Sequence, residues 1–205
     1  MIRVLIADDH KLVRDGLKRI LAAAAGFEIA GEAASGDEAL ALVKANDYDV
    51  VMLDLSMPGL AGIELIKRLK LEKPKLRMLV LSMHGEQQYA ARALKAGASG
   101  YLTKDSASEQ LVSVLRKIAG GGVYVSDAAA TGLVASGDSS RGTLSDREFE
   151  VLRLLVEGLG PTEIAGRLHL SVKTVSTHKT RILHKLNLGS IAELVRYALE
   201  NKLVA

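Results

Sequence analysis

Asp8, Asp9, Asp54, Ser82 and Lys104 are the residues whose types fit a common chemistry if the chain brings them together. Three carboxylates, a hydroxyl and an ammonium suit a hard divalent cation with an anionic oxygen beside it. Asp8 and Asp9 follow directly on the apolar run Val4–Ala7. Adjacent carboxylates raise each other's pKa and resist burial. A strand that runs into two of them needs solvent or a cation to offset the repulsion. Magnesium prefers carboxylate and water oxygens, often with a phosphate completing its shell. Lys104 would contact the anionic oxygen, and Ser82 would donate a hydrogen bond to it.

The elements around these residues explain how they meet. Apolar runs at Ile2–Ala7, Glu28–Glu32, Val50–Leu53, Arg77–Leu81 and Ser99–Leu102 read as strands. Amphipathic stretches at Lys11–Ala24, Gly36–Ala45, Gly62–Leu71, Gln87–Ala96 and Ser106–Ala119 read as helices. Five strand–helix units in alternation predict a doubly wound parallel sheet covered on both faces. Ligands of such sheets sit outside the carboxyl ends of the strands. Asp8 and Asp9 end the first strand, Asp54 the third and Ser82 the fourth, and Lys104 follows the fifth. His10 reads as a helix-start residue, not as a base.

The chain has 205 residues, 48% apolar and 25% charged, as a soluble globular protein of one or two domains would. No 18-residue apolar run marks a membrane span, and the N-terminus lacks the pattern of a signal peptide. The absence of cysteine excludes disulfides and thiolate metal sites and fits a cytoplasmic setting. Only 3% of residues are aromatic, which argues against stacking platforms for single-stranded nucleic acid. Residues 1–140 carry 17 basic and 17 acidic side chains, whereas residues 141–205 carry 10 and 7. The excess positive charge therefore lies in the C-terminal part.

Residues 120–143 read as a linker. Gly120-Gly121-Gly122 ends the fifth helix, Ala128–Ala135 reads as a short helix, and 136–143 (SGDSSRGT) as a flexible stretch. From Leu144 the pattern is helical only. Ser145 and Glu148 form an S-x-x-E capping box, with Leu144 and Phe149 at staple positions. Gly160-Pro161 opens a second helix. His169-Leu170-Ser171 is a short turn into a third, and a fourth runs from Ser190 to Glu200. Two helices joined by three residues make a helix-turn-helix.

At about 100° per residue, the third helix turns Val175, Ile182 and Leu186 inward. Lys173, Ser176, Thr177, Thr180 and His184 fall on the opposite side, with Thr174 beside them. That face suits a DNA major groove, while Lys179, Arg181 and Lys185 would take phosphates. No acid interrupts Ser171–Leu186.

DDH at 8–10, DLSMPG at 54–59, LSMH at 81–84 and AGASGYLTK at 96–104 resemble the receiver domain of two-component response regulators. LSDREFEVLRLLVEG, EIAGRLHLSVKTVSTH and KLN resemble the LuxR-type helix-turn-helix of the NarL-type members. The resemblance covers nearly the whole chain. It implies a flavodoxin-like receiver over 1–119 and a smaller all-helical DNA-binding domain over 144–205. It implies that Asp54 accepts a phosphoryl group from a sensor histidine kinase. Mg2+ would be held by Asp9 and Asp54, with Asp8 behind and the Ser56 backbone carbonyl. Lys104 would bind the phosphoryl oxygens, Ser82 would turn toward them, and Tyr101 would turn inward.

The resemblance further implies a homodimer through the last helix on double-stranded DNA, and a receiver able to cover the recognition helix before phosphorylation. No membrane partner is implied. Two positions of the helical part depart from the family: Thr162 and Ser176 stand where it often has lysine. Asp105 follows Lys104 where many receivers have proline. A rival reading, a Mg2+-dependent aspartyl-phosphate phosphohydrolase, usually places its nucleophile and acid two residues apart after the first strand. Here the two acids are adjacent, the acceptor is on the third strand, and no insertion encloses a substrate. The expectation is therefore a regulator and not an enzyme.

Overall fold

The structure is a computed structural model that describes residues 1–82, 87–125 and 144–201, without the side chains of 87–88 and 105–109. The expected short helix at Ala128–Ala135 and the stretch 136–143 lie outside these residues. Strands β1 (Ile2–Ala7), β2 (Phe27–Ala33), β3 (Val50–Asp54), β4 (Arg77–Ser82) and β5 (Gly100–Thr103) alternate with helices α1 (Lys11–Ala22), α2 (Gly36–Ala45), α3 (Gly62–Glu72), α4 (Gln87–Lys95) and α5 (Lys104–Ala119). The strands form one parallel sheet in the order β2-β1-β3-β4-β5. The order reverses between β1 and β3, and ligands of open α/β sheets bind at such a switch point.

Alternate strand residues feed the two faces. Val4, Ile6, Val50 and Met52 pack with Leu17, Leu21, Leu111 and Leu115. Leu5, Ala7, Val51 and Leu53 pack with Ala39, Val43, Ile63 and Leu65 on the other face. Both faces are apolar, so the central strands are fully buried, as their continuous apolar runs require.

Some boundaries differ from those the sequence predicts. Helix α1 stops at Ala22, and Gly26 then takes the left-handed backbone (φ +95°) that leads into β2. Helix α5 begins at Lys104 itself rather than Ser106. The linker expected from residue 120 begins as part of the α/β unit. Tyr124 bridges Gly100 in parallel, and its amide donates to the Ser99 carbonyl at 3.0 Å.

The helical part comprises α6 (Asp146–Val156), α7 (Pro161–Leu168), α8 (Val172–Leu186) and α9 (Ile191–Glu200). Ser145 and Glu148 make the expected capping box, and Leu144 and Phe149 are both buried. Pro161 occupies the first turn of α7. His169 takes a left-handed conformation (φ 51°), and the Ser171 hydroxyl caps α8 by accepting from the Thr174 amide. These devices give the helix-turn-helix its sharp corner. Among the described residues no helix is long and apolar enough to cross a membrane.

Candidate functional site

Parallel register delivers the acids to one place. Ala7 pairs with Leu53, so the residues that follow, Asp8 and Asp54, leave the sheet side by side. Asp54 pairs with Leu81, and Ser82 pairs with Thr103, the residue before Lys104. All five expected residues therefore converge at the carboxyl edge of the sheet.

Lys104 joins them. Its Nζ lies 2.6 Å from Asp8 Oδ2 and 3.2 Å from Asp54 Oδ2. Asp8, Asp54 and Ser82 are buried. Burial raises the Asp54 carboxyl above the usual aspartate range, and Lys104 only partly offsets this. Burial also works against the Lys104 ammonium, but its contacts with Asp8 and Asp54 outweigh it and hold its pKa above the usual lysine value. The Ser56 amide donates to Asp54 Oδ1 at 3.2 Å, fixing the loop after β3 to the carboxylate. Tyr101 is buried, already turned inward.

Helix α1 begins over this edge. His10 is its N-cap residue, as expected, and its backbone amide donates to Asp8 Oδ1 at 2.8 Å. Its imidazole also has a partner that sequence reading did not find: Nδ1 lies 2.9 Å from Asp9 Oδ1. Ligand atoms of Asp8, Asp9, His10 and Asp54 lie within 4.8 Å of one another. Asp8 Oδ2 and Asp9 Oδ1 are buried and have charge contacts but no aligned hydrogen bond. A carboxylate-rich set with closely spaced oxygens fits a hard divalent cation.

In the helical part, Val175 and Ile182 of α8 are buried, and Leu186 packs at the edge of the core. Lys173, Ser176, Thr177, Thr180, Arg181, His184 and Lys185 are exposed, with Thr174 and Lys179 half-buried. The side of α8 expected to face a groove is therefore exposed. Thr177 and Thr180 hydroxyls donate to the Lys173 and Ser176 carbonyls one turn back, and the Thr174 hydroxyl pairs with that of Ser171. Lys185 departs from the expected free phosphate contact, because its ammonium lies 2.6 Å from Glu148 Oε2. Burial alone would raise the Glu148 carboxyl, yet Lys185 holds it below the usual glutamate range. His178 faces inward, and burial lowers its pKa.

The two parts meet in a contact that sequence reading missed. The resemblance implies a receiver covering the recognition helix; here the receiver covers α6 and the end of α7, and the polar side of α8 stays open. Arg92 of α4 donates to Asp146 Oδ1 (3.0 Å) and to the Leu144 carbonyl (2.8 Å), and its guanidinium lies 4.7 Å from the Phe149 ring. Lys67 of α3 reaches Asp146 Oδ2 at 2.7 Å. Burial works against the Asp146 charge, but Lys67 and Arg92 hold its pKa below the usual range. Glu150 is buried and accepts from the Ile63 amide at 3.2 Å in the first turn of α3. Gly62 leaves room for that carboxylate, since a Cβ there would strike Glu150 Oε1. Arg153 donates to Ser56 Oγ at 3.1 Å, and Arg167 donates to the Ser56 carbonyl at 3.2 Å.

Residues 4–116 match the family described as response regulator receiver domain, and residues 142–198 match the bacterial regulatory proteins of the luxR family. Response regulator UvrY of Escherichia coli (strain K12) is 34% identical over 209 residues, covering 99% of this chain and 96% of its own length. Oxygen regulatory protein NreC of Staphylococcus carnosus (strain TM300) is 39% identical over 214 residues, covering 98% and 99%. A Salmonella typhimurium RcsB response regulator structure superposes with a TM-score of 0.79 at 31% identity, covering 96% of each chain. A structure of the two-component response regulator RcsB in complex with DNA gives a TM-score of 0.63 at 31% identity, again covering 96% of each.

Proposed function

Given that the chain belongs to the response regulators, with a receiver and a LuxR-type helical region, we propose that it is a phosphorylation-controlled, DNA-binding transcriptional regulator in which Asp54 is the phosphoryl acceptor. The observation that carries this reading is the buried Asp54 carboxylate at the sheet's switch point, with the Lys104 ammonium 3.2 Å away. A sensor histidine kinase is the donor. An Asp54 carboxylate oxygen attacks phosphorus, a P–O bond forms, and the P–N bond to the donor histidine breaks with its electron pair left on the imidazole. Lys104 holds the transferred phosphoryl oxygens. Asp9, Asp54 and the Ser56 carbonyl, with Asp8 behind them, would hold Mg2+. When bound, Mg2+ supplies positive charge against the phosphoryl oxygens. Ser82 then donates to the phosphoryl group, and Tyr101 stays inward with it.

Residues 1–119 act as the receiver, 120–143 as the linker, whose first residues up to Tyr124 stay paired with the receiver sheet, and 144–205 as the DNA-binding unit. Lys173, Thr174, Ser176, Thr177, Thr180 and His184 read bases, while Lys179, Arg181 and Lys185 take phosphates. A phosphorylated homodimer on paired half-sites in the cytoplasm is the acting form. Its relatives are regulators, and the chain itself is read as no enzyme.

The test is phosphorylation of the full chain by a low-molecular-weight acyl phosphate with Mg2+, followed by mass spectrometry. One phosphoryl group on Asp54, absent from Asp54→Asn, is the expected result. A label on another residue of the wild type overturns the assignment.

A further inference from the structure

Ser56 lies two residues beyond Asp54 and is gripped by two cations from the helical part. Arg153 holds its hydroxyl at 3.1 Å, and Arg167 holds its carbonyl at 3.2 Å. The same carbonyl is the backbone oxygen that the proposed function assigns to Mg2+. Arg153 has a second partner, Glu157, with Nε to Oε1 at 3.5 Å. Arg167 has no carboxylate within 4 Å among the described residues. Its charge is offset at this contact by one carbonyl oxygen and the acids beyond it.

We propose that the Ser56 carbonyl is contested: Arg167 holds it while the helical part is docked, and a divalent cation bound at Asp9 and Asp54 takes it, so metal binding by itself loosens the docking before any phosphoryl transfer. The inference rests on the metal reading given above. A carbonyl has two lone pairs, so geometry alone does not forbid sharing. Charge decides. A divalent cation sharing that oxygen would place a second positive charge beside the Arg167 guanidinium, and like charges repel where the carbonyl dipole now attracts. The site is partly buried, so salt screens this little. Coupling between two sites is reciprocal. Docking therefore weakens metal binding by the factor by which metal weakens docking. The device differs from occlusion of the recognition helix, whose polar side is open in the docked chain.

The chain contains no cysteine, so Leu71→Cys in α3 and Leu199→Cys in α9, both exposed, give a clean pair for spin labels on the full chain. Pulsed electron resonance should report one narrow separation without metal and a broadened one with saturating Mg2+. Calorimetry of the full chain should find Mg2+ bound roughly 5–10-fold more tightly by Arg167→Ala than by wild type, a coupling of ordinary size. Arg167→Gln, which keeps a donor for the carbonyl but no charge, should also bind Mg2+ more tightly than wild type. Asp9→Asn should lose both the calorimetric signal and the broadening. Wild-type Mg2+ binding with an unchanged separation would overturn the inference, as would unchanged affinity in both Arg167 variants. No Mg2+ binding by the wild type would overturn it together with the metal reading, while phosphorylation of Asp54 would remain a separate measurement.

Discussion

Helices α6 and α8 belong to one bundle and have opposite surroundings. In α6 every residue from Glu148 to Leu155 is buried, including the charged Glu148, Glu150 and Arg153. In α8 only Val175 and Ile182 are. Both helices are amphipathic in sequence, with one apolar side that closes the bundle. The polar side of α6 is covered by α3 and α4 and by the loop after β3, and each of its buried charges has a partner there or within the bundle. Among the described residues, the polar side of α8 is exposed apart from the Lys185–Glu148 pair and the half-buried Thr174 and Lys179. A buried charge is tolerated when it is paired, so α6 is an internal joint. An open, acid-free polar helix is the kind of surface that the proposed DNA contact needs.

That contrast fails or sharpens under substitution, beginning with the largest effect. Leu152 of α6 is fully buried in the hydrophobic core, so Leu152→Ala should cost about 2–5 kcal/mol of stability. Thr177→Ala on α8 should stay within about 0.5 kcal/mol while changing base preference in a binding-site selection. Urea unfolding of both variants checks the pair, and equal losses would erase the distinction.

Glu150 comes next. Glu150→Ala strands the Ile63 amide and should cost about 1–3 kcal/mol, whereas Glu150→Gln keeps an acceptor and should lose much less. Burial raises the Glu150 carboxyl above its ordinary 4.5, more than Arg147 lowers it. The folded chain thus holds this proton more tightly than the unfolded one. Stability from this group falls as pH rises through the window above 4.5, and Glu150→Gln should flatten that part of a thermal-melt profile against pH.

On α8, Arg181→Ala should lower the slope of log affinity for DNA against log salt by about one unit. Lys185→Ala should lower it by less, because Glu148 already neutralises that ammonium. Equal slopes would show that the Glu148 pair opens freely on DNA.

The smallest effect belongs to the joint's rim. Asp146 is about one-third exposed beside Lys67 and Arg92, so Asp146→Asn should cost only about 0–1 kcal/mol. The two cations hold its pKa below 3.8. Its contribution is therefore present above pH 3.8 and lost as pH falls through the lower folded value, which acid unfolding of wild type and variant would detect.

The α/β part was legible from sequence because its strands are continuous apolar runs ending in polar residues, and parallel connection then forces Asp8, Asp54 and Lys104 to one edge. The caps at Ser145, Gly160 and Ser171 were legible because capping is local. The joint was not. Glu150, Arg153 and Arg167 meet Ile63 and Ser56 across 87, 97 and 111 residues, and nothing in helical periodicity distinguishes a charge facing solvent from one facing another part of the chain. The Lys185–Glu148 pair escaped for the same reason. The sole hint was the density of charge on α6, whose positions 146, 147, 148, 150 and 153 are all ionisable.

The bridge from Tyr124 to Gly100 bears on how the molecule behaves in a crowded solution. Every open sheet has two outer strands whose unpaired amides and carbonyls can recruit another chain edge to edge and seed aggregation. Here β5 is only four residues long, and Tyr124 takes up one of its free positions while Lys117 lies 5.9 Å from the tyrosine ring. At the other edge, β2 slips register against β1 between Val4 and Leu5, leaving Ala30 as an extra residue, and Glu32 is tied to Arg14 and Lys18. A short covered edge and a kinked charged one leave a second chain little to zip onto.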